Sequence, residues 1–330
     1  MRAFEFWAPG RGGALAALLA PAAWLYGCAV RRCFAAAQAW SAPVPVLCVG
    51  NLVAGGAGKT PIALDLGARL AKRGVAVHFL LRGYGGSTVG PHRVDPAADS
   101  AMLVGDEALL LARLAPTWVA VDRAAGAKAA IAAGAEAIVM DDGFQNPTLK
   151  KDASLLVVDG TYGLGNGRVL PAGPLRERPE DGLARAQAAV VLDPVDGAVA
   201  ATLGRLAARD LPILTARTVP GPEAAGLKGR RVLAFAGIGR PEKFFATLRA
   251  VGADVQKTAA FSDHYPYDAA EIRDLKTEAA RWQAVPVTTA KDMARIPPEA
   301  ADGIHVLTIG IEWDDEAALS AVIEPILPRC

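Results

Sequence analysis

Three stretches of this sequence carry residue types at spacings that suit phosphate chemistry. In the first, the strand-length apolar run Val46–Gly50 leads through Val53-Ala54-Gly55-Gly56-Ala57-Gly58 to Lys59-Thr60, ahead of a helical pattern. Backbone N–H groups of such a turn and helix start face an anion, a lysine adds charge and a threonine hydroxyl ligates Mg²⁺. The usual spacing of that loop has glycine where this chain has Val53. In the second, the apolar residues Ala137–Met140 end in Asp141-Asp142-Gly143. An acid at that place beside a phosphate loop binds Mg²⁺ directly or through water. Two adjacent carboxylates are costly to hold unless a cation or donors compensate, a solvated turn being the alternative. In the third, the run Val75–Leu81 delivers Arg82-Gly83-Tyr84-Gly85-Gly86 to a strand end, where open α/β sheets bind ligands. Arg82 there suits phosphate recognition, and a plain connecting loop fits equally. Phosphoryl transfer or nucleotide hydrolysis is the working class.

The elements that must position these residues alternate. Ile62, Leu66 and Leu70 lie at helical spacing up to Arg73, with Gly74 as the stop. Gly105-Asp106-Glu107 precedes a helical pattern from Ala108 to Leu114, and an Asp at a helix start is commonly a cap. Trp118–Val121 reads as a short strand, followed by Asp122-Arg123 and an Ala-rich helix. Further strands are read at Leu155–Asp159, Ala188–Leu192 and Ile213–Arg217, with a helix over Ala198–Ala208. After the Pro/Gly-rich link from Pro220 to Gly229, strands are expected at Val232–Ala236, Val255–Ala260, Val285–Thr289 and Val306–Ile311. Helices are expected at Glu242–Val251 and Asp268–Trp282, with a final helix after the last strand running to about Leu327. Thr289-Ala290-Lys291-Asp292 approaches a guanine-reading box, but its lysine is one position late, which disfavours a GTPase. The fold class is α/β: a P-loop NTPase-like parallel-sheet domain (41–219), a smaller C-terminal α/β domain (220–330) and an N-terminal apolar helix region (1–40).

Length agrees with two domains. With 35 basic and 34 acidic residues, the chain has no basic excess to point to nucleic acid. Cys28, Cys33, Cys48 and Cys330 form no Cys-x-x-Cys pair and read as small core or helix residues of a reducing compartment. No charge interrupts the stretch Gly12–Val30, between Arg11 and Arg31-Arg32. A signal peptide is disfavoured because the phosphate loop follows so soon. A spanning helix needs about 20 apolar residues, and this run barely reaches that, with Pro21 inside it. A helix lying in the inner leaflet is preferred, with Arg31 and Arg32 toward headgroups and Trp7, Trp24, Tyr26 and Trp40 available for the interface. A buried core helix is the remaining alternative.

Several further stretches, taken with these, resemble one family, the tetraacyldisaccharide 4′-kinases of lipid A biosynthesis. They are Gly50-Asn51 with Gly55–Pro61, Arg82–Gly85, Gly105–Glu107, Asp141-Asp142-Gly143-Phe144-Gln145, Gly163–Gly167, Leu170–Glu177, Phe235–Gly239 and Phe261–Tyr265. The family also lacks glycine at the position of Val53. It usually has His where this chain has Asn146, which cannot titrate, and often Pro where this chain has Ala108. The resemblance implies transfer of the ATP γ-phosphate to the 4′-hydroxyl of an acylated glucosamine disaccharide 1-phosphate. ATP and Mg²⁺ are then the cofactors, and the acylated lipid and the inner-membrane surface the partners. No protein partner is indicated. The enzyme would work at the cytoplasmic face of the inner membrane.

The resemblance also implies roles. Asp106 is the base and His264 its orienting partner, while Lys59 serves the β/γ-phosphates within an ATP loop of Val53 to Thr60. Thr60, Asp141, Asp142 and Glu177 are the Mg²⁺ candidates. Arg82, Tyr84, Glu107, Arg123, Gln145 and Arg176 are candidates for substrate and phosphate. Two other classes fit less well. A membrane-bound ATPase switch of the partitioning type would carry an additional lysine near Val53-Ala54, and a soluble small-molecule kinase leaves Gly12–Val30 unexplained.

Overall fold

The computed structural model describes residues 4–324 and 327, apart from 196 and 198. Thirteen described strands form two sheets. They are β1 (Val46–Gly50), β2 (Val77–Leu81), β3 (His92–Arg93), β4 (Thr117–Val119), β5 (Ala137–Asp141), β6 (Ala153–Asp159), β7 (Ala188–Leu192), β8 (Ile213–Pro220), β9 (Arg231–Ala236), β10 (Asp254–Ala260), β11 (Val285–Thr289), β12 (His305–Leu307) and β13 (Ile309–Trp313). The larger sheet has the order β13-β8-β7-β6-β1-β5-β2-β4-β3, parallel except for the edge pairs β13/β8 and β3/β4. The smaller has the order β10-β9-β11-β12, all parallel.

Every residue of β1, β2, β5 and β7 is buried, so these strands are near-continuous apolar runs, broken only by His78 in β2 and Asp141 at the end of β5, as parallel strands covered on both faces must be. Alternation still sorts their side chains. Leu47 and Val49 join Ile62, Leu66 and Phe79 on one face, whereas Val46 and Cys48 join Ile138, Met140 and Phe144 on the other. The first face is covered by the helices α3 (Lys59–Lys72), α5 (Asp106–Ala112) and α12 (Glu316–Ile323), and α6 (Arg123–Ala132) contributes Ala127 and Ala130 to the second. The smaller sheet is sandwiched between α9 (Pro241–Ala250) and α10 (Ala269–Arg281), which bury Phe244, Phe245 and Leu248 on one side and Ile272 and Ala279 on the other.

The expected strand Val306–Ile311 is two strands belonging to different sheets. Between them, Thr308 accepts the Gly221 N–H at its carbonyl (2.9 Å) and gives its own N–H to the Glu223 carboxylate. The chain therefore returns to the larger sheet, where β13 pairs with β8 and Trp313 Nε1 donates to Asp65 at 2.8 Å. Arg69 grips Glu316 on α12, and the sequence division at 220 had assigned β13 and α12 to the second unit. The helix read at Ala198–Ala208 is described as Ala200–Ala207, its first residue lying outside the described residues, as does Cys330.

At the N-terminus the apolar run is split at Leu19 into α1 (Gly13–Leu18) and α2 (Ala20–Ala36). Pro21 sits in the first turn of α2, where no helical hydrogen bond requires its missing N–H. Among the described residues no helix is long and apolar enough to cross a membrane. Trp7 is buried, and its backbone carbonyl accepts from Asn166 N (2.8 Å) and Tyr162 (3.1 Å), tying the N-terminus to the loop after β6.

Candidate active site

β1 lies between β5 and β6, so the loop following it opens at the carboxyl end of the sheet where chain direction diverges. Parallel pairing sets Val49 beside Asp141, which brings the second acidic strand next to the phosphate loop. The loop closes into α3 through Gly58, whose φ of +83° and a Cβ position 2.2 Å from Leu192 Cδ2 admit no side chain. Val53 needs no such freedom. It bridges Leu175 in antiparallel fashion, and Ala54 N donates to Pro174 O at 2.8 Å while Arg176 N donates to Leu52 O at 2.7 Å. That short ladder places Arg176 and Glu177 on the flank of the loop.

Within this cradle Lys59 Nζ donates to Asn51 Oδ1 (3.3 Å) and Gly55 O (3.4 Å) and lies 3.7 Å from Asp142. The Thr60 hydroxyl donates to Asp141 Oδ2 at 2.7 Å. The other oxygen, Oδ1, is buried without a partner. Burial and the negative charge of Glu107 push the Asp141 carboxyl up to about 7. An orphaned carboxylate oxygen beside a threonine hydroxyl fits a divalent cation that takes one or two protein ligands and completes its shell with phosphate and water.

The other two metal candidates are engaged elsewhere. Asp142, with φ +54°, accepts from Arg176 Nη1 at 2.7 Å. Burial raises its carboxyl, but Lys59 and Arg176 outweigh that and hold it below the usual range. Glu177 accepts from Arg185 (2.6 Å) and from Gln145 Nε2 (2.9 Å). Gln145 also donates to Asn51 O and accepts from Arg176, so its amide braces the loop. Among the described residues no three His, Cys, Asp or Glu side chains converge as a metal site.

Two cations face this crevice from the strand ends. Arg123 is buried at the start of α6, donates to the carbonyls of Ala120 and Val121, and leaves Nε without a partner. Burial and the neighbouring charge of Arg82 push its guanidinium down to about 10, which suits an anion between the two arginines. Tyr84, in the same loop as Arg82, is exposed and meets the His264 ring edge-on with centroids 5.7 Å apart.

Asp106 is the first residue of α5 and Gly105, at φ +87°, takes the cap position, so the carboxylate is not the cap expected of an Asp at a helix start. A Cβ at Gly105 would stand 2.7 Å from Tyr84 O. Asp106 is nearly inaccessible, and its Oδ2 receives the Nδ1–H of His264 at 3.0 Å across the two units. His264 reaches in from the loop after β10 with φ +58°, an uncommon backbone state for such a residue, held by its N–H on Gly237 O. Arg295 Nε (3.5 Å) and Lys291 Nζ (3.9 Å) also face Asp106 Oδ2, and Lys291 pairs with Glu107 at 3.1 Å. Burial raises the Asp106 carboxyl, yet His264, Lys291 and Arg295 together keep it below the ordinary carboxylate range.

Lys291 and Arg295 were not anticipated, although Lys291 lies in the run first compared with a guanine-reading box. Its neighbour Asp292, fully buried, accepts from Gly237 N (2.8 Å), Tyr267 (2.9 Å) and Arg295 (2.8 Å). The signal in that run was thus the anchoring of a turn beside Asp106. A third missed group is Arg240, which hydrogen-bonds Asp159 at the end of β6.

The family model for tetraacyldisaccharide-1-P 4′-kinase (LpxK) matches residues 15–327. The chain belongs to this family. It is 54% identical over 332 residues to the tetraacyldisaccharide 4′-kinase of Rhodospirillum centenum, covering 99% of this chain and 97% of that one. Over 326 residues it is 52% identical to the enzyme of the same name from Paramagnetospirillum magneticum, covering 99% of each. The crystal structure of LpxK from Aquifex aeolicus in complex with ATP matches with a TM-score of 0.74 at 27% identity, over 95% of this chain and 100% of that one. As a member of the LpxK family the protein is a kinase of lipid A biosynthesis, and none of these relatives supports the partitioning-type ATPase switch.

Proposed function

We propose that this protein transfers the γ-phosphate of ATP to the 4′-hydroxyl of a tetraacylated glucosamine disaccharide 1-phosphate. The observation that carries the reading is the Asp106–His264 pair, assembled across the two units within 3.0 Å beside the phosphate loop. An acid–base pair whose neighbour Glu107 acts electrostatically on Asp141 of the phosphate cradle suits transfer to an alcohol better than nucleotide switching. The acceptor oxygen forms a bond to the γ-phosphorus as the bond to the β–γ bridging oxygen breaks, releasing ADP. Asp106, already ionised, takes the hydroxyl proton as it becomes acidic, and His264 keeps the carboxylate aimed through its Nδ1–H. In a loose transition state most of the rate comes from positioning and charge neutralisation, here the work of Lys59, Arg123 and Arg82. Thr60 and Asp141 would hold Mg²⁺, whose charge neutralises the phosphates when bound.

Access from the cytoplasmic face of the inner membrane completes the reading. Leu18, Trp24 and Leu25 of the N-terminal helices are 76%, 60% and 62% exposed, an apolar surface that suits the headgroup boundary where an acylated substrate resides. The deciding assay incubates the full-length protein with γ-labelled ATP, Mg²⁺ and the tetraacyldisaccharide 1-phosphate in detergent micelles. Label in the glycolipid is expected. Label released only as inorganic phosphate, at a rate indifferent to the lipid, would overturn the proposal.

A further inference from the structure

We propose that Lys291 is a positioning residue for the reaction, aligning and charging the Asp106–Glu107 turn only when the second unit is docked. This rests on the reading of Asp106 as the base. α11 (Ala290–Met293) is a single turn capped by Thr289, whose hydroxyl accepts from Asp292 N at 3.0 Å. Asp292 is itself locked by Gly237, Tyr267 and Arg295, so the turn has a fixed place in the second unit. From it Lys291 extends to the first turn of α5 and stands between two acids of the first unit, 3.1 Å from Glu107 and 3.9 Å from Asp106.

Every group facing Asp106 bears on the outcome. From the loop after β10 come His264 and, behind it, Asp263, 3.8 Å from His264 Nε2. From α11 and the turn after it come Lys291 and Arg295, and from its own helix Glu107. Arg295 is already shared with Asp292, Tyr265 O and Gly237 O, which leaves Lys291, among the described residues, as the cation that spans Asp106 and Glu107 together. Without it, the nearly inaccessible Asp106 carboxylate faces the partly exposed Glu107 beside it with one cation fewer, which favours protonation of one and lets the turn splay. A protonated Asp106 cannot accept the acceptor's proton. A lysine in this place therefore makes the base competent as a consequence of domain docking, which neither unit achieves alone.

The test compares Lys291→Met, Lys291→Arg and Asp106→Asn with the wild type in the full chain, using ATP and the tetraacyldisaccharide 1-phosphate. For a folded Lys291→Met protein, kcat is expected to fall roughly 10–10²-fold with the KM for ATP within about threefold. The acid limb of the kcat–pH profile should move upward by about one unit, because a neighbouring cation has been removed from the base. Lys291→Arg should restore most of the turnover and return the limb toward its original position. A Lys291→Met protein with kcat within about twofold of wild type and an unmoved acid limb sinks the proposal, as does a loss confined to KM for ATP. Asp106→Asn separates the two readings. If it stays active, the base assignment itself fails; if it is dead while Lys291→Met is unimpaired, only the inference fails.

Discussion

Asp106 and His264 meet at 3.0 Å although 158 positions separate them, each supplied by a different unit. The carboxylate is held below the ordinary range because His264, Lys291 and Arg295 outweigh its burial, which suits the proposed role of proton acceptor at neutral pH. A carboxyl held down in the folded state stabilises the fold above its unfolded pKa, and that contribution is lost as pH falls through the lowered value. Asp106→Ala and His264→Ala are each expected to lower kcat by roughly 10²–10⁴. Steady-state assays on folded variants check this, and turnover within a few-fold of wild type would remove the pair from the mechanism. Asn146 has a different duty. Its Oδ1 accepts from Thr148 N, Thr148 Oγ1 and Leu149 N at 3.1–3.2 Å, which makes it the anchor of the turn after Gln145. In Asn146→His the ring Nδ1 stands where Oδ1 was and keeps an acceptor, so melting temperature and kcat should stay near wild type. Asn146→Leu, which has none, should cost about 1–3 kcal/mol, read from denaturant unfolding.

At the scale of elements, two packings make specific demands. Arg69 on α3 is tied to Asp65 at 2.7 Å and bidentately to Glu316 on α12, holding the returning C-terminal segment against the larger sheet. The Glu316 side is exposed, so Arg69→Ala should lower stability by only about 1 kcal/mol and the melting temperature by a few degrees. Loss of cooperative unfolding in that variant would show that the buckle matters more than surface pairing allows. The N-terminal helices pose a question of placement. Deleting residues 1–32 would also remove Trp7, which is docked on the loop after β6, and Arg31, 3.5 Å from Asp181. Substituting the exposed face alone, Leu18→Glu with Trp24→Glu and Leu25→Glu, isolates membrane contact from folding. We expect the substituted protein to shift from the membrane pellet to the soluble fraction; unchanged pelleting by a folded variant would assign membrane contact to another surface.

For the whole molecule, the decisive relation is the docking of the smaller unit on the carboxyl end of the larger sheet. Besides His264 and Lys291, α9 contributes a clamp: Arg240 pairs with Asp159, and Lys243 lies 3.8 Å from Asp159 and 3.7 Å from Asp193. Burial would raise the Asp159 carboxyl, but hydrogen bonds from Arg240 and Thr161 bring it to about 2. Since that value is below the unfolded one, the clamp is intact above about pH 4 and weakens as pH falls toward 2, with a contribution on the order of 1–2 kcal/mol. Arg240→Ala should lower kcat/KM roughly tenfold through a less populated docked state. Small-angle scattering would register the larger mean radius of gyration, and an unchanged radius with unchanged kcat/KM would exclude the clamp from closure.

How much of this was legible in the chain follows from where the information lies. The phosphate loop, the acidic strand end and most α/β elements are local: apolar runs of strand length, helical spacing of Ile62, Leu66 and Leu70, and punctuating glycines determine them without reference to distant residues. Val53 was an irregularity in the sequence and became intelligible only through its pairing with Leu175, a contact across more than a hundred positions. Likewise, a single apolar run at Val306–Ile311 carried no mark of being shared between two sheets, because Thr308 turns the chain through partners at Gly221 and Glu223. The approach of Lys291 and Arg295 to Asp106 was invisible for the same reason: a charge near a turn acquires meaning only from the charge packed against it. The sequence by itself marked the loop proposed to hold phosphate, since that chemistry is built from consecutive backbone and side-chain groups. Only the tertiary structure decided which carboxylate is kept ionised and by what, since pairing and desolvation depend on what distant elements bring within a few ångströms.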